Sequence, residues 1–350
     1  MALRTHIVGS VSPDNIVASM NLLVDELGDT ITTLPFERRR HWVIEFLEQR
    51  AQDPRYRILR RSRMSEDRDL RPLLDPPRAI PRHGVKVTAD SLPLPYAAEV
   101  AYALPIMRAI PRLRTAVRPQ AGIADPMNVG GFFWLNPMRH YDAEVGAALR
   151  EIDLIHGLTF GNAVYQWEGP LQTVAVAKAP RRLQGVVAEK MARRACEFIA
   201  QSPKDSVWIL HFCYGNKNDS PLASPPDAGP LVELANAMWT YWPKNQILDA
   251  IHLPFGDRHH PTPYSRHFYL PMGELIAPET VHISAGFVRA MVASNHPHWE
   301  PQLEQHRWAW DAFTRMVNRD NVGCSTGCGW GRQPGAVVAT AKLLSAVAHF

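Results

Sequence analysis

The sequence predicts a (β/α)8 TIM-type barrel, and three observations lead there. Short apolar, β-branched stretches alternate with longer runs of helical periodicity along the 350 residues. About eight such strands can be counted, the number a closed parallel barrel needs. Polar residues that look out of place in apolar runs recur at the carboxyl ends of these strands, where a barrel carries its active site. A doubly wound open sheet is the main competing arrangement of the same alternation. The 46% hydrophobic content suffices for one large core, so residues 1–350 are expected to form a single barrel domain.

The first strand is expected at His6-Ile7-Val8-Gly9-Ser10, closed by the turn and helix cap Ser12-Pro13-Asp14. A helix follows with Ile16, Met20, Leu23 and Leu27 on one face, then Leu34-Pro35-Phe36 and a second helical stretch through Trp42, Ile44, Phe46 and Leu47. Residues 38–82 are Arg-rich and Pro-punctuated, with few apolar positions at either period, and form an excursion from the barrel. Their bland role is a solvated loop; their functional one is a basic rim that attracts an anion through Arg60, Arg61 and Arg63.

After a helix over 97–110, strands are expected at Gly131–Leu135, Ala163–Trp167, Val207–Cys213, Ile247–Leu253, Thr280–Ala285 and Asn321–Cys324. A poorly defined strand between Tyr56 and Gly131 completes the eight. Helices at 142–155, 183–199, 231–242, 303–317 and 336–348 separate and close them. There is no internal repeat and no low-complexity tract.

The formal charge of +4 and pI near 8.9 are mildly basic, without the Lys/Arg stripe of a nucleic-acid binder. No apolar run reaches membrane-spanning length, and the expected compartment is the cytoplasm. Four cysteines are too few for a disulfide scaffold, so clustered ones are better used for metal binding or catalysis. Homo-oligomerisation is left open.

One stretch concentrates the chemistry, Val207-Trp208-Ile209-Leu210-His211-Phe212-Cys213. Residues at i and i+2 of an extended chain share a face, so the imidazole of His211 and the sulfur of Cys213 can converge on one metal. The Gly-rich loop Gly323-Cys324-Ser325-Thr326-Gly327-Cys328-Gly329 ends the eighth strand and brings a thiolate to the same mouth. Together they make a Cys2His set with a fourth zinc position open, the arrangement of a catalytic site. Ser10, Gln166, Glu168 and His252 end other strands and face the same mouth. Cys196 lies in a helix and is expected to be a buried apolar group.

These residues carry a family resemblance. Thr5-His6-Ile7-Val8-Gly9-Ser10, Gln166-Trp167-Glu168, His211-Phe212-Cys213-Tyr214-Gly215 and Ser325-Thr326-Gly327-Cys328-Gly329-Trp330-Gly331-Arg332 resemble the cobalamin-independent methionine synthase superfamily, in order and over nearly the whole chain. They look most like its single-barrel members, among them epoxyalkane:coenzyme M transferase. The resemblance implies a barrel of the methionine synthase and uroporphyrinogen decarboxylase type. In it Zn2+ binds a small-molecule thiol, deprotonates it and presents it to an alkyl or methyl donor. It also implies that His211, Cys213 and Cys328 are the zinc ligands, with Cys324 the spare. Two thiolates and a neutral imidazole balance the metal's charge while leaving the substrate sulfur nucleophilic.

The sequence also departs from the family. After the sixth strand the methionine synthases carry a Glu ligand, and here the chain reads His252-Leu253-Pro254; His252, Asp257 or Glu168 is the substitute, or the site has three protein ligands. Gly327 stands where relatives have an Asp before the last ligand, and their acidic loop after the first helix is reduced to Leu34-Pro35-Phe36-Glu37-Arg38. Arg258 and Arg266 could hold a carboxylate, sulfonate or phosphate. Catalytic roles fall to His252, Glu168 and Tyr264, and substrate contacts to Ser10, Gln166, Trp167, Asp257 and Arg258. The competing activities are an epoxide-opening thiol transfer, with Tyr264, His252 or a zinc-bound water as acid, a decarboxylase, and a barrel that binds metal or thiol without turnover.

Overall fold

A computed structural model of the chain describes residues 4–8, 16–27, 33–35, 50–59, 78–217, 220–256, 263–288, 299–327 and Ser345. Eight parallel strands form a nearly closed barrel with helices between them: β1 (Arg4–His6), β2 (Thr33–Pro35), β3 (Arg118–Ala124), β4 (Val164–Glu168), β5 (Val207–His211), β6 (Ile247–Pro254), β7 (His282–Val288) and β8 (Val322–Thr326). Their order around the sheet is β1-β8-β7-β6-β5-β4-β3-β2. Among the described residues no backbone ladder joins β1 to β2. A side chain of β3 reaches the segment just after β1 instead, Gln120 Nε2 donating to Ile7 O at 3.1 Å.

Most elements follow from the sequence pattern, and the first helix, Ile16–Leu27, buries the expected Ile16, Met20, Leu23 and Leu27. The strand expected at Gly131–Leu135 is not one, and the second strand lies instead at Thr33–Pro35, ahead of the excursion. The loosely bounded strand expected between Tyr56 and Gly131 is found at Arg118–Ala124. Gly131, Phe132 and Phe133 belong to a helix, Pro126–Phe133, which Asp125 caps by accepting from Met127 N at 2.9 Å with Pro126 at the first position. Phe133 and Trp134 are fully buried, and both meet the Tyr56 ring edge-on, with centroids 5.9 and 5.1 Å away. The apolar run therefore marks a tertiary contact, not an extended strand. The bounds of β3 are not legible in the sequence because Pro119, Gln120 and Gly122 interrupt its apolar pattern.

The described ends of the Arg-rich excursion are packed. Tyr56–Ile58 pairs antiparallel with Ala79–Pro81, and Tyr56 and Ala79 share a small core with Leu92, Phe133, Trp134 and Ala147. Arg50 is buried in a two-pronged pair with Glu144, at 2.7 and 3.0 Å, and the indole of Trp134 donates to the same carboxylate at 2.7 Å. Such a pair fixes where the excursion rejoins the barrel, because either partner alone would be an uncompensated buried charge. Arg60, Arg61 and Arg63, the helical stretch through Trp42 and all of the final helix except Ser345 lie outside the described residues.

Glu151, on the helix Tyr141–Thr159, is buried and accepts from Ala97 N at 3.0 Å. Burial pushes its carboxyl from the ordinary 4.5 up to about 8. A raised carboxyl holds more protons folded than unfolded between those values, so it erodes stability as pH rises through the window from 4.5 to 8. Glu151→Gln is therefore expected to flatten the decline in unfolding free energy across that window. Urea titrations at its two ends measure this, and parallel curves for wild type and variant would refute it.

Candidate functional site

Strand register decides which side chains meet inside the barrel, because residues paired across parallel strands point to the same side. One row runs Ala124, Glu168, His211, His252, Ser284 and Gly323, from β3 around to β8. The row nearer the amino ends reads Gly122, Gln166, Ile209, Ala250 and His282. Below the polar groups, Val164, Ile209 and Ala250 form an apolar floor packed on Val207. Above them, Pro254, Gly286, Ser325 and His6 form the next row. Glu168, His211, His252, Ser284, Ser325, His6 and Gln166 thus share the barrel interior, over a dry base and towards the carboxyl ends of the strands.

Two hydrogen-bonded groups occupy this interior. His211 and His252 are 4% and 0% exposed, and their Nδ1 atoms lie 2.8 Å apart. His252 Nε2 lies 2.8 Å from the carbonyl oxygen of Thr326. Burial, then the neighbouring His211 and His6, hold the His252 imidazole well below its ordinary titration range. In the second group, Thr33 Oγ1 donates to Gln120 Oε1 at 2.8 Å and Gln120 Nε2 to Gln166 Oε1 at 2.9 Å. Gln166 Nε2 then donates to Glu168 Oε1 at 3.1 Å, while His6 Nε2 donates to Gln166 Oε1 at 3.2 Å. Every link in this chain points its proton towards Glu168, which orients that carboxylate as an acceptor.

Glycines make the room. A Cβ at Gly122 would stand 3.1 Å from Glu168 Oε1, and one at Gly286 would stand 2.7 Å from His252 Nε2. Ser284 and Ser325 are fully buried, and their hydroxyls have no hydrogen-bond partner among the described residues. Cys213 is 9% exposed, two residues past His211. Just beyond it, Gly215 adopts φ 69° and the chain folds back so that Leu222 N donates to Tyr214 O at 2.8 Å.

The other expected site residues are placed differently. Trp167 alternates with Gln166 and Glu168 and so faces the helix layer, fully buried, where its indole donates to Asp125 at 2.9 Å. Tyr264 is 65% exposed and lies against Trp308, with centroids 4.3 Å apart and the rings tilted by 36°. Cys324 alternates with Ser325 and belongs to the main core, with burial pushing its thiol up to about 12. Cys196 is likewise buried in the helix layer. Ser10, Asp257, Arg258 and Cys328 lie outside the described residues. Thr33, Gln120, Ser284 and Ser325 were missed. Only strand register and the hydrogen bonds reveal them, since each is an ordinary polar residue in a short segment.

Among the described residues no three His, Cys, Asp or Glu side chains gather closely enough to hold a metal ion. His211 and Cys213 nevertheless fit zinc as far as they go. A neutral imidazole nitrogen and a soft sulfur are its preferred donors, and both sit at the carboxyl end of a barrel strand.

No protein-family model matches the chain, and no curated protein does. Solved structures are similar. A B12-independent methionine synthase from Shewanella sp. W3-18-1, in complex with selenomethionine, aligns with 14% identity and a TM-score of 0.56, covering 100% of this chain and 97% of that one. A methyltransferase from Methanosarcina mazei aligns with 12% identity and a TM-score of 0.43, covering 97% of this chain and 93% of that one. At such identity the first likeness establishes the barrel fold.

Proposed function

We propose that this protein is a zinc-dependent transferase that moves a methyl or other alkyl group from a small-molecule donor to a thiol, with His211, Cys213 and Cys328 holding the metal. The observation that carries the reading is the His211–Cys213 pair at the mouth of the barrel, its imidazole buried and bonded to His252. The fold shared with a methionine synthase along the whole chain supports it. So does the place of Cys328 in the sequence, two residues after the last residue of β8.

Zinc, when bound there, would supply Lewis acidity that makes a thiol a thiolate at neutral pH. The chain's own residues do the rest. Glu168, oriented by Gln166, stands in the same register row as His211 and is placed to take the thiol proton. The apolar floor of Val164, Ile209 and Ala250 keeps water from beneath the reacting groups. The hydroxyls of Ser284 and Ser325 are available to a polar group of the substrate.

Metal analysis of purified protein, followed by incubation of a thiol panel with methyl donors or with epoxides, tests this. About one zinc per chain and consumption of one donor class with formation of a thioether are expected. Protein that folds, takes up no zinc and alkylates no thiol would overturn it.

A further inference from the structure

We propose that His252 is a positioning residue that sets the tautomer of His211, so that His211 carries its proton on Nδ1 and presents the lone pair of Nε2 to the metal. The metal itself rests on the function proposed above; the tautomers do not.

The hydrogen bonds assign the protons in sequence. A carbonyl oxygen only accepts, so the 2.8 Å contact to Thr326 O places a proton on His252 Nε2. Two facing lone pairs would repel, so one proton must also lie between the Nδ1 atoms of His252 and His211, themselves 2.8 Å apart. That proton belongs to His211. Were it on His252, this fully buried ring would be a cation with no carboxylate bonded to it among the described residues, flanked by His211 and, at 5.9 Å between centroids, His6. His252 is therefore neutral with an accepting Nδ1, His211 donates through Nδ1–H, and Nε2 of His211 is left with its lone pair.

The same distance separates this arrangement from one in which both rings bind the metal. Two nitrogens on a tetrahedral zinc, each about 2.0–2.1 Å from it, stand about 3.3 Å apart. A separation of 2.8 Å fits a hydrogen bond. An outer partner that fixes the tautomer and angle of a ligating imidazole is a general device of metal sites. Here the partner is itself clamped. Phe212 N donates to His252 O at 3.2 Å, and only a glycine at position 286 leaves space beside His252 Nε2, since a Cβ there would come within 2.7 Å.

Long-range nitrogen–proton NMR of histidine side chains in metal-free protein at neutral pH reads the tautomers directly. The expected result is Nδ1–H for His211 and Nε2–H for His252. An Nε2–H tautomer at His211 overturns the proposal, and this spectrum decides it even if a variant fails to fold. Two variants extend the test. In His252→Asn the amide oxygen takes the place of Nδ1 and still accepts, so zinc affinity should stay within a few-fold. In His252→Phe the acceptor is gone, and affinity should fall about 10- to 100-fold as His211 loses its tautomer preference. Unchanged affinity and tautomer in His252→Phe would contradict the proposal, as would loss of a nitrogen ligand from the cobalt spectrum of His252→Asn. Correct tautomers in a protein that takes up no zinc would overturn the metal reading alone.

Discussion

Cys213→Ala is expected to lower zinc affinity by more than the roughly 100-fold that loss of an outer partner can cost, and to abolish thiol alkylation, whereas Cys324→Ala leaves both intact. The two cysteines are the same chemistry in different settings. Cys213 follows the end of β5 two residues after His211, where the chain turns away at Gly215, and it keeps some solvent access. Cys324 lies inside β8, alternates with the inward-facing Ser325, and packs among the helices, where burial holds its thiol protonated. A metal ligand must be a thiolate, so the buried thiol is the wrong one. Metal analysis and alkylation assays on both variants, after circular dichroism confirms folding, make the comparison. Retained zinc in Cys213→Ala would remove the centre from this end of the barrel. Lost zinc in a folded Cys324→Ala would show that the side of the strand had been assigned wrongly.

How much of this the sequence discloses depends on whether the cause is local. β5 is a continuous apolar run that ends in His211, and β6 is broken only by Asp249 before His252, so both strands and their histidines stand out without any structure. The i, i+2 spacing of His211 and Cys213 follows from extended geometry. β3 does not stand out, because Gln120 and Gly122 face a polar interior and a neighbouring carboxylate, not a core. An alternation test for strands assumes one apolar face, and this barrel is polar inside at its upper rows. Trp167 failed for the complementary reason. Its neighbours Gln166 and Glu168 face inward, so the period of two turns it outward, although proximity in sequence suggested a shared pocket. The role of His252 needed the partner 41 positions away and the carbonyl 74 positions away, which no single-sequence pattern encodes.

Gly327→Ala should be among the most damaging single-methyl additions in the molecule, costing about 3 kcal/mol or more, with a matching loss of zinc affinity. A Cβ at position 327 would stand 1.7 Å from Gly256 O and 2.9 Å from Gly256 C, both backbone atoms that no rotamer change can move aside. Those atoms are held by their own bonds. Phe255 N and Gly256 N both donate to Gly286 O, at 3.0 and 3.1 Å, and Gly327 N donates to Val288 O at 2.8 Å. The segments that follow β6, β7 and β8 are thereby laced together through three glycines at van der Waals contact. Relief of the clash would have to shift the end of β8, and with it the Thr326 carbonyl that holds His252. The neighbouring chemistry explains a departure noted in the sequence, since an Asp at position 327 would meet the same backbone. Gly157, in the helix Tyr141–Thr159 with nothing within 4 Å of its missing Cβ, is the control, and Gly157→Ala should be neutral or stabilise by up to about 1 kcal/mol. Chemical denaturation of both variants, with zinc titration of the folded fraction, separates packing from metal loss. If Gly327→Ala proved as stable as Gly157→Ala, the close approach of the β6 and β8 ends would be wrong, and the seat described for His252 would fall with it.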